Sequence, residues 1–191
     1  MALRYSGTMP VRQTLPALWL LSDARNDAVL ELSLRHLPRG SGFVFRHYHL
    51  APAARRARFA ALSRLCRRRG IQPVLAGTGR EARAWGASGS YGLPRLGFGP
   101  RLATAHSLRE IGRANRMGAS LILLSPVLPT RSHAGGAPLG PLRFLLLARR
   151  ALCPVVALGG MDRRSARRVP GFGWAAIDGL SHKFPSKPQD S

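Results

Sequence analysis

Residues 121–160 read LILLSPVLPTRSHAGGAPLGPLRFLLLARRALCPVVALGG and contain two apolar runs separated by a helix-like segment. LILLSPV (121–127) and PVVALGG (154–160) are short and aliphatic, as expected of buried strands in a parallel sheet. The segment between them, PLRFLLLARRAL (141–152), begins with Pro141, which suits a first helical turn. The order strand, helix, strand predicts a βαβ unit.

The same alternation runs through the rest of the chain. Helix-like segments cover 27–37, 52–69 and 107–118, the last with Ser107 as a candidate N-cap and Gly118 as a stop. Eight strand candidates alternating with helices predict an α/β fold, a compact TIM (βα)8 barrel with shortened helices, and leave a doubly wound open sheet as the alternative. SGSYGL is the weakest strand by propensity. The other six strand candidates are 17–22, 42–49, 72–77, 88–93, 102–107 and 173–179.

The 191 residues with 45% hydrophobic content suit one domain. We expect the barrel to cover 13–181, with a loose N-terminal segment at 1–12 and a loose C-terminal tail at 182–191. No run is long and apolar enough to cross a bilayer, so no membrane partner is expected. Cys66 and Cys153 lack metal-type spacing, which favours a reducing, cytoplasmic compartment.

The formal net charge of +22 raises the question of a nucleic-acid partner. The basic residues are 28 arginines and 2 lysines, a bias typical of coding from a GC-rich genome. The densest cluster, ARRARFAALSRLCRRRG (54–70), places apolar residues at helical spacing and predicts an amphipathic helix with a solvated basic face. No aromatic stacking platform accompanies the charge. The pattern therefore argues against nucleic acid, with another acidic partner as the alternative.

In a parallel barrel the active site lies at the carboxyl ends of the strands. The second strand ends in Arg46-His47-Tyr48-His49, and strand alternation predicts that two of these four side chains face the barrel interior. Gly159 and Gly160 follow the seventh strand, and Ile177 and Asp178 follow the eighth, where this fold often holds a phosphate on backbone N–H groups. The candidate catalytic residues are Arg46, His47, His49 and His133.

Four motifs together resemble one family. AHSLRE (105–110), SPVLPTRSHAGGAPLG (125–140), PVVALGGM (154–161) and GWAAIDGL (173–180) are similar in order and spacing to the thiamine phosphate synthase/TenI family. The resemblance implies a TIM barrel that binds a thiazole phosphate near strands seven and eight; synthase members join it to a pyrimidine diphosphate with Mg²⁺. The implied substrate- and phosphate-binding residues are His106, Ser125, Thr130, Arg131, Ser132, Gly159, Gly160, Ile177 and Asp178.

The chain departs from the family in the half that holds the diphosphate. In the Gln-x-Arg-x-Lys pattern after strand two, Val44 and Tyr48 replace the glutamine and the lysine, and Arg46 is kept. Ala76 and Gly77 stand at the expected Asn-Asp pair, and His133 replaces the lysine of the loop after strand six.

The carboxylates that hold Mg²⁺ in the family are also missing. The second metal-binding aspartate is expected near residues 93–95, which read LPR. Magnesium needs hard oxygen ligands, and Asp23 is the clearest candidate that remains among eight acidic residues. No residue is therefore assigned to a metal, and no cofactor is predicted although the family implies Mg²⁺.

Three classes of function remain open. The chain can act as a thiamine phosphate synthase of thiamine biosynthesis, as a non-catalytic or regulatory binder of thiamine-related phosphates, or as a TenI-type thiazole tautomerase. In the last case the acid/base must be relocated, because Pro126 stands at that branch's histidine position. The expected partner is a small phosphorylated thiazole or thiamine phosphate, and a homodimer is left open. A surface that binds a polyanion is the third class of function, after an enzyme and a binder.

Overall fold

The structure, a computed structural model, describes residues 15–92, 97–130 and 137–180. Its parallel strands hydrogen-bond in chain order, and the last strand pairs with the first, with Leu18 opposite Trp174. The predicted TIM barrel is confirmed, and the open doubly wound sheet is wrong because the sheet closes. The strands are β1 (Leu18–Leu21), β2 (Gly42–Phe45), β3 (Gln72–Ala76), β4 (Gly89–Tyr91), β5 (Arg101–Ala105), β6 (Leu121–Leu124), β7 (Val155–Leu158) and β8 (Gly173–Ala176).

The helices outside the barrel are short, apart from the one after β2. In that helix Pro52 occupies the first turn and Gly70, with φ 67°, ends it. Ser107 accepts a hydrogen bond from the Glu110 N–H, so the predicted N-cap is present. The helices are α1 (Leu30–His36), α2 (Pro52–Arg69), α3 (Gly79–Ala84), α4 (Leu108–Arg116) and α5 (Gly140–Ala148), and the 3₁₀ helices are Ala24–Val29 and Ser165–Arg168.

Side chains alternate between two environments along each strand. Trp19, Val44, Leu102 and Leu123 fill the barrel interior together with residues from the other strands. The intervening residues point outward and form two layers against the helices. This alternation decides which residues can reach the carboxyl-end face of the barrel.

β4 forms despite its poor propensity because its backbone must approach a neighbouring segment closely. A β carbon on Gly89 would collide with the carbonyl of Pro100. Ser90 N–H donates to that same carbonyl at 3.0 Å, and Gly92 N–H donates to the Leu102 carbonyl at 3.0 Å. Close approach therefore overrides intrinsic preference at this strand.

Parts of the sequence prediction fall on residues that the structure does not describe. The loose segments predicted at 1–12 and 182–191 lie outside the described residues, as do Arg131, Ser132 and His133. Within the described ranges no helix has the length and apolar content needed to cross a bilayer. Cys66 and Cys153 are both free thiols.

Candidate functional site

A cavity of about 450 Å³ opens at the carboxyl ends of β4 to β8, and Arg46 reaches it from the end of β2. Most of its walls come from the loops after β6, β7 and β8. Further lining comes from Leu158, Met161, Asp162 and Ala176. The predicted site residues that line this cavity are Arg46, His106, Ser125, Thr130, Gly159, Gly160, Ile177 and Asp178.

Strand periodicity explains why these residues meet. Val44 and Leu123 fill the barrel interior, and Arg46 and Ser125 lie two residues further along the same faces. A period of two keeps such residues on the inward side of the sheet. The site is therefore a continuation of the interior rows beyond the packed core.

The loops after β6, β7 and β8 touch through their backbones at three glycines. Gly159 (φ 93°) and Gly160 (φ 65°) adopt positive φ, which glycine tolerates without steric cost. A β carbon on Gly159 would lie 2.7 Å from Pro126 Cα, and one on Gly160 would lie 2.6 Å from the Pro129 carbonyl oxygen. A β carbon on Gly179 would collide with the Met161 carbonyl. This wall of the cavity is backbone, the kind of surface that can approach an anion closely.

His106 lies in the cavity with its tautomer set by a backbone group. Its Nδ1 is 2.8 Å from the Ser125 carbonyl oxygen and 3.2 Å from Ser125 Oγ. A carbonyl can only accept, so Nδ1 carries the hydrogen and, in the neutral ring, Nε2 is the basic nitrogen. The ring can therefore exchange a proton through Nε2 while Nδ1 holds its orientation.

Tyr91 and Thr104 are among the polar residues of the cavity that sequence reasoning missed. Both residues line it, and Tyr91 Oη lies 2.6 Å from Thr104 Oγ1. Tyr91 ends the weakest predicted strand, and Thr104 lies inside β5 rather than after it. The sequence carried a signal for Thr104, because it follows the interior residue Leu102 by two positions.

Arg46 is held at the cavity by three hydrogen bonds. Its backbone N–H donates to Ser22 Oγ at 2.8 Å, its Nε donates to the Ser22 carbonyl at 2.8 Å, and its Nη2 contacts Asp23 Oδ2 at 3.0 Å. Asp23 Oδ1 also accepts a hydrogen bond from Arg25 Nε at 2.9 Å. Burial acts to raise the pKa of Asp23, but the hydrogen bonds and charge of Arg25 and the charge of Arg46 outweigh it and lower that pKa.

Asp178 brings a carboxylate to the proposed phosphate side of the cavity. Asp178 Oδ2 lies 3.5 Å from Arg25 Nη1, and its side chain is 53% exposed. Arg25 thus bridges Asp23 and Asp178, and the negative charge of Asp178 is partly compensated within the site.

His47 and His49 do not line the cavity. β2 ends at Phe45, and the chain turns at His47, whose φ is 26°. The His47 ring is 1% exposed and stacks on Phe45 in the outer layer, with centroids 4.6 Å apart. His49 is exposed, and Tyr48 is 68% exposed. The prediction that two of these four residues face the interior is therefore wrong, because Arg46 alone among them lines the cavity.

The ends of β2 and β3, where the resemblance placed the diphosphate, are bridged by Arg55. Its Nη2 donates to the carbonyls of Arg46, at 3.1 Å, and Ala76. Its guanidinium lies over the rings of Phe45, Tyr48 and Trp85, 5.5–5.8 Å from their centroids. A cation, rather than the Asn-Asp pair of the family, therefore occupies this position.

The acidic residues near the cavity do not fit Mg²⁺. Within residues 15–92, 97–130 and 137–180 no group of three or more His, Cys, Asp and Glu side chains is placed to hold a metal ion. Asp23, the best candidate from the sequence, is engaged by Arg25 and Arg46. Magnesium prefers near-octahedral oxygen ligands and carboxylates that are not already engaged, so Asp23 does not suit the ion.

Comparison with known proteins agrees with the fold and the motifs. Residues 103–181 match the family described as thiamine monophosphate synthase. The thiamine-phosphate synthase of Chlorobium luteolum is 30% identical over 179 residues, covering 87% of this chain and 84% of that protein. The putative thiamine-phosphate synthase 2 of Aquifex aeolicus is 38% identical over 78 residues, 41% of this chain and 42% of that protein.

Among solved structures, the thiamine phosphate pyrophosphorylase from Pyrococcus furiosus superposes with a TM-score of 0.70. The match has 20% identity and covers 85% of each chain, which supports the fold. The family itself rests on the Chlorobium luteolum relative and on the matched segment 103–181. The chain therefore belongs to the thiamine phosphate synthase/TenI family.

Proposed function

We propose that the chain binds a thiazole phosphate in the cavity, with the phosphate against the backbone wall formed by Gly159, Gly160 and Gly179. The observation that carries the proposal is the contact of three loops through glycine backbone at the carboxyl ends of β6 to β8. Arg46 also lines the cavity and supplies a cation there, a group suited to phosphate oxygens. A volume of about 450 Å³ lies within the usual range for small-molecule sites.

The proposed ligand carries one phosphorylated thiazole ring and is either a free thiazole phosphate or thiamine phosphate. Arg55 bridges the ends of β2 and β3, where a diphosphate would need its own contacts. Among the residues that the structure describes, no cluster of side chains fits Mg²⁺ either. We therefore propose that the protein binds the thiazole half of the substrate without a metal-dependent coupling step.

A calorimetric titration with thiamine phosphate tests this proposal. We expect saturable binding by the wild-type protein without added Mg²⁺. Gly160→Ala should weaken it about tenfold or more, because the new β carbon displaces the Pro129 carbonyl. Gly171→Ala is the matched control, since Gly171 also has positive φ but has no atom within 4 Å of an added β carbon. Absence of wild-type binding, or equal binding by the two variants, would overturn the proposal.

A second candidate function, proton transfer on the bound thiazole as in a tautomerase, is supported by His106. Its Nδ1 is held by the Ser125 carbonyl, and its ring lines the cavity. Histidine is the side chain most often used for proton transfer near neutral pH. In this step Nε2 would take a proton from a ring-adjacent carbon of the thiazole phosphate and return it to another atom of the same molecule.

Solvent exchange separates this candidate from simple binding. Wild-type protein in D₂O should place deuterium into a bound thiazole phosphate. His106→Asn keeps a donor for the Ser125 carbonyl and removes Nε2, so we expect it to keep binding and lose the exchange. If wild-type protein binds the ligand without exchange, the chain is a binder and this second candidate is wrong.

A further inference from the structure

We propose that Asp27, His47 and Ser22 form a buried hydrogen-bond relay that positions Arg46 in the cavity, which makes His47 a positioning residue. The inference rests on the proposed function, because Arg46 is taken there as a ligand of the phosphorylated substrate. It also gives a role to His47, which the sequence singled out as catalytic but which lies outside the cavity.

The direction of every hydrogen bond in the relay follows from its charged end. The Asp27 carboxylate can only accept, so His47 Nε2, 2.8 Å from Asp27 Oδ1, carries the hydrogen. His47 Nδ1 is then an acceptor and takes the hydroxyl hydrogen of Ser22, whose Oγ is 2.8 Å away. Ser22 Oγ in turn accepts the Arg46 backbone N–H at 2.8 Å. One arrangement of hydrogens satisfies the whole chain of contacts.

The inner part of the relay is sealed from water. Ser22 is 0% exposed and His47 is 1% exposed, whereas the Asp27 side chain at the outer end is 35% exposed. A buried polar atom that loses its partner cannot recover a hydrogen bond from solvent, so Ser22 and His47 depend on each other. The burial of Ser22 also excludes a second interpretation of this Ser-His-Asp arrangement, because the hydroxyl has no access to a substrate.

Neighbouring groups hold Asp27 in place and keep His47 neutral. Arg58 donates from Nε and Nη2 to Asp27 Oδ1, at 2.9 and 2.8 Å, and also contacts Glu31. Burial lowers the pKa of His47, against the opposing hydrogen bond and charge of Asp27, and the nearby His49 and Arg58 lower it further. The ring is therefore kept in the neutral form that the relay requires.

The backbone of Arg46 is consequently held at both its N–H and its carbonyl. Its N–H is held by Ser22 Oγ, and its carbonyl accepts Arg55 Nε at 3.2 Å. His47 follows it in a positive-φ conformation, stacked on Phe45. A group whose surroundings hold it in the bound geometry loses less freedom when the ligand arrives.

The tautomer of His47 tests the relay without any ligand. In a ¹⁵N spectrum of histidine-labelled protein we expect His47 to carry its hydrogen on Nε2. His36 and His106 are internal references of opposite tautomer, because their Nδ1 atoms face the carbonyls of Leu32 and Ser125. A His47 signal with the hydrogen on Nδ1 at neutral pH would overturn the relay.

Ligand affinity tests what the relay does. His47→Phe keeps the stacking and removes both hydrogen bonds, so the Kd for thiamine phosphate should rise roughly tenfold. His47→Asn, which tolerates positive φ and retains an acceptor near Ser22, should restore part of the affinity. His36→Gln, on the exposed part of α1, is the matched control and should bind as the wild type does.

Two further outcomes keep the test decisive. If His47→Phe does not fold, Ser22→Ala breaks the same relay and should raise the Kd to a similar extent. Unchanged affinity in a folded His47 or Ser22 variant would overturn the positioning role and leave the proposed function standing. Absence of binding by the wild type would instead overturn the proposed function, and the tautomer measurement would then decide on the relay alone.

Discussion

Arg46 and His47 are neighbours in the sequence but lie on opposite sides of the barrel wall. Arg46 continues the inward face of β2 after Val44 and reaches the cavity, whereas His47 continues the outward face after Phe45. Each residue type suits its side. A guanidinium can serve a phosphate ligand, and a neutral imidazole can link two partners inside a packed layer.

Cys66 gives a prediction at the residue scale. Burial raises the pKa of its thiol to about 12, so very little thiolate forms at pH 8, and the thiolate is the reactive species. In native protein we expect Cys66 to resist a thiol-reactive disulfide reagent at pH 8 and to react only after denaturation. The comparison is with a Cys153→Ala variant, which isolates Cys66. Rapid native labelling of that variant would show that the α2 layer opens readily.

Among the elements, α2 and β4 show how packing overrides local signals. α2 carries many arginines, yet its buried side, with Phe59, Leu62 and Cys66, packs on the strands. β4 has weak strand propensity, yet it is inserted between β3 and β5 because Gly89 allows close backbone approach. A basic surface and a glycine-rich strand therefore both have structural explanations.

Phe59 tests the contribution of α2 packing. Its ring lies 5.4 Å from Phe45 and 5.9 Å from Trp85, and it is fully buried. Phe59→Ala should lower the free energy of unfolding by about 3–5 kcal/mol, as large-to-small changes in a core do. Arg64→Ala, at an exposed position of the same helix, should change it by less than about 0.5 kcal/mol. Denaturant unfolding measures both, and a loss below that of Arg64→Ala would contradict this packing.

At the scale of the whole molecule, three of the eight acidic residues lie together beside the N-terminal strands. Asp23, Asp27 and Glu31 are paired with Arg25, Arg46 and Arg58, in a chain of net charge +22 with eight acidic residues. These ion pairs neutralise arginines near the cavity, and the pair of Asp27 with Arg58 links the 3₁₀ helix Ala24–Val29 to α2.

The pH dependence of stability follows from these groups. Hydrogen bonds from Arg58 lower the pKa of Glu31, and those from Arg58 and His47 outweigh burial to lower that of Asp27. Their contribution is full above the ordinary carboxyl pKa near 4 and is lost as pH falls through the folded values. The pKa of His47 is also lowered from 6.5, so the unfolded chain takes up that proton first and stability falls as pH drops below about 6.5.

Unfolding measured between pH 7.5 and 5.5 checks the His47 part. The wild-type denaturant midpoint should fall over this range, and His47→Asn should show a smaller fall because the linked proton is absent. Arg58→Met should in turn flatten the decline below pH 4.5, where the carboxyl groups titrate. An identical pH profile for wild type and His47→Asn would contradict a buried, neutral His47.

The sequence predicted the barrel and half of the residues that line the cavity, because period-two strands and glycine pairs are local signals. Gly159, Gly160 and Ser125 follow apolar runs directly, so their place at the strand ends could be predicted. The outward turn at His47 could not, because it depends on where β2 stops and on contacts with Ser22 and Asp27. Tyr91 was missed because its strand exists through tertiary contacts rather than propensity.

A crystal structure of the protein soaked with thiamine phosphate shows most directly where the phosphate binds. We expect the phosphate to lie against the backbone of Gly159 and Gly160, with the thiazole in the cavity between His106 and Arg46. Density for the ligand elsewhere on the protein, with the cavity empty of it, would contradict the proposed phosphate site.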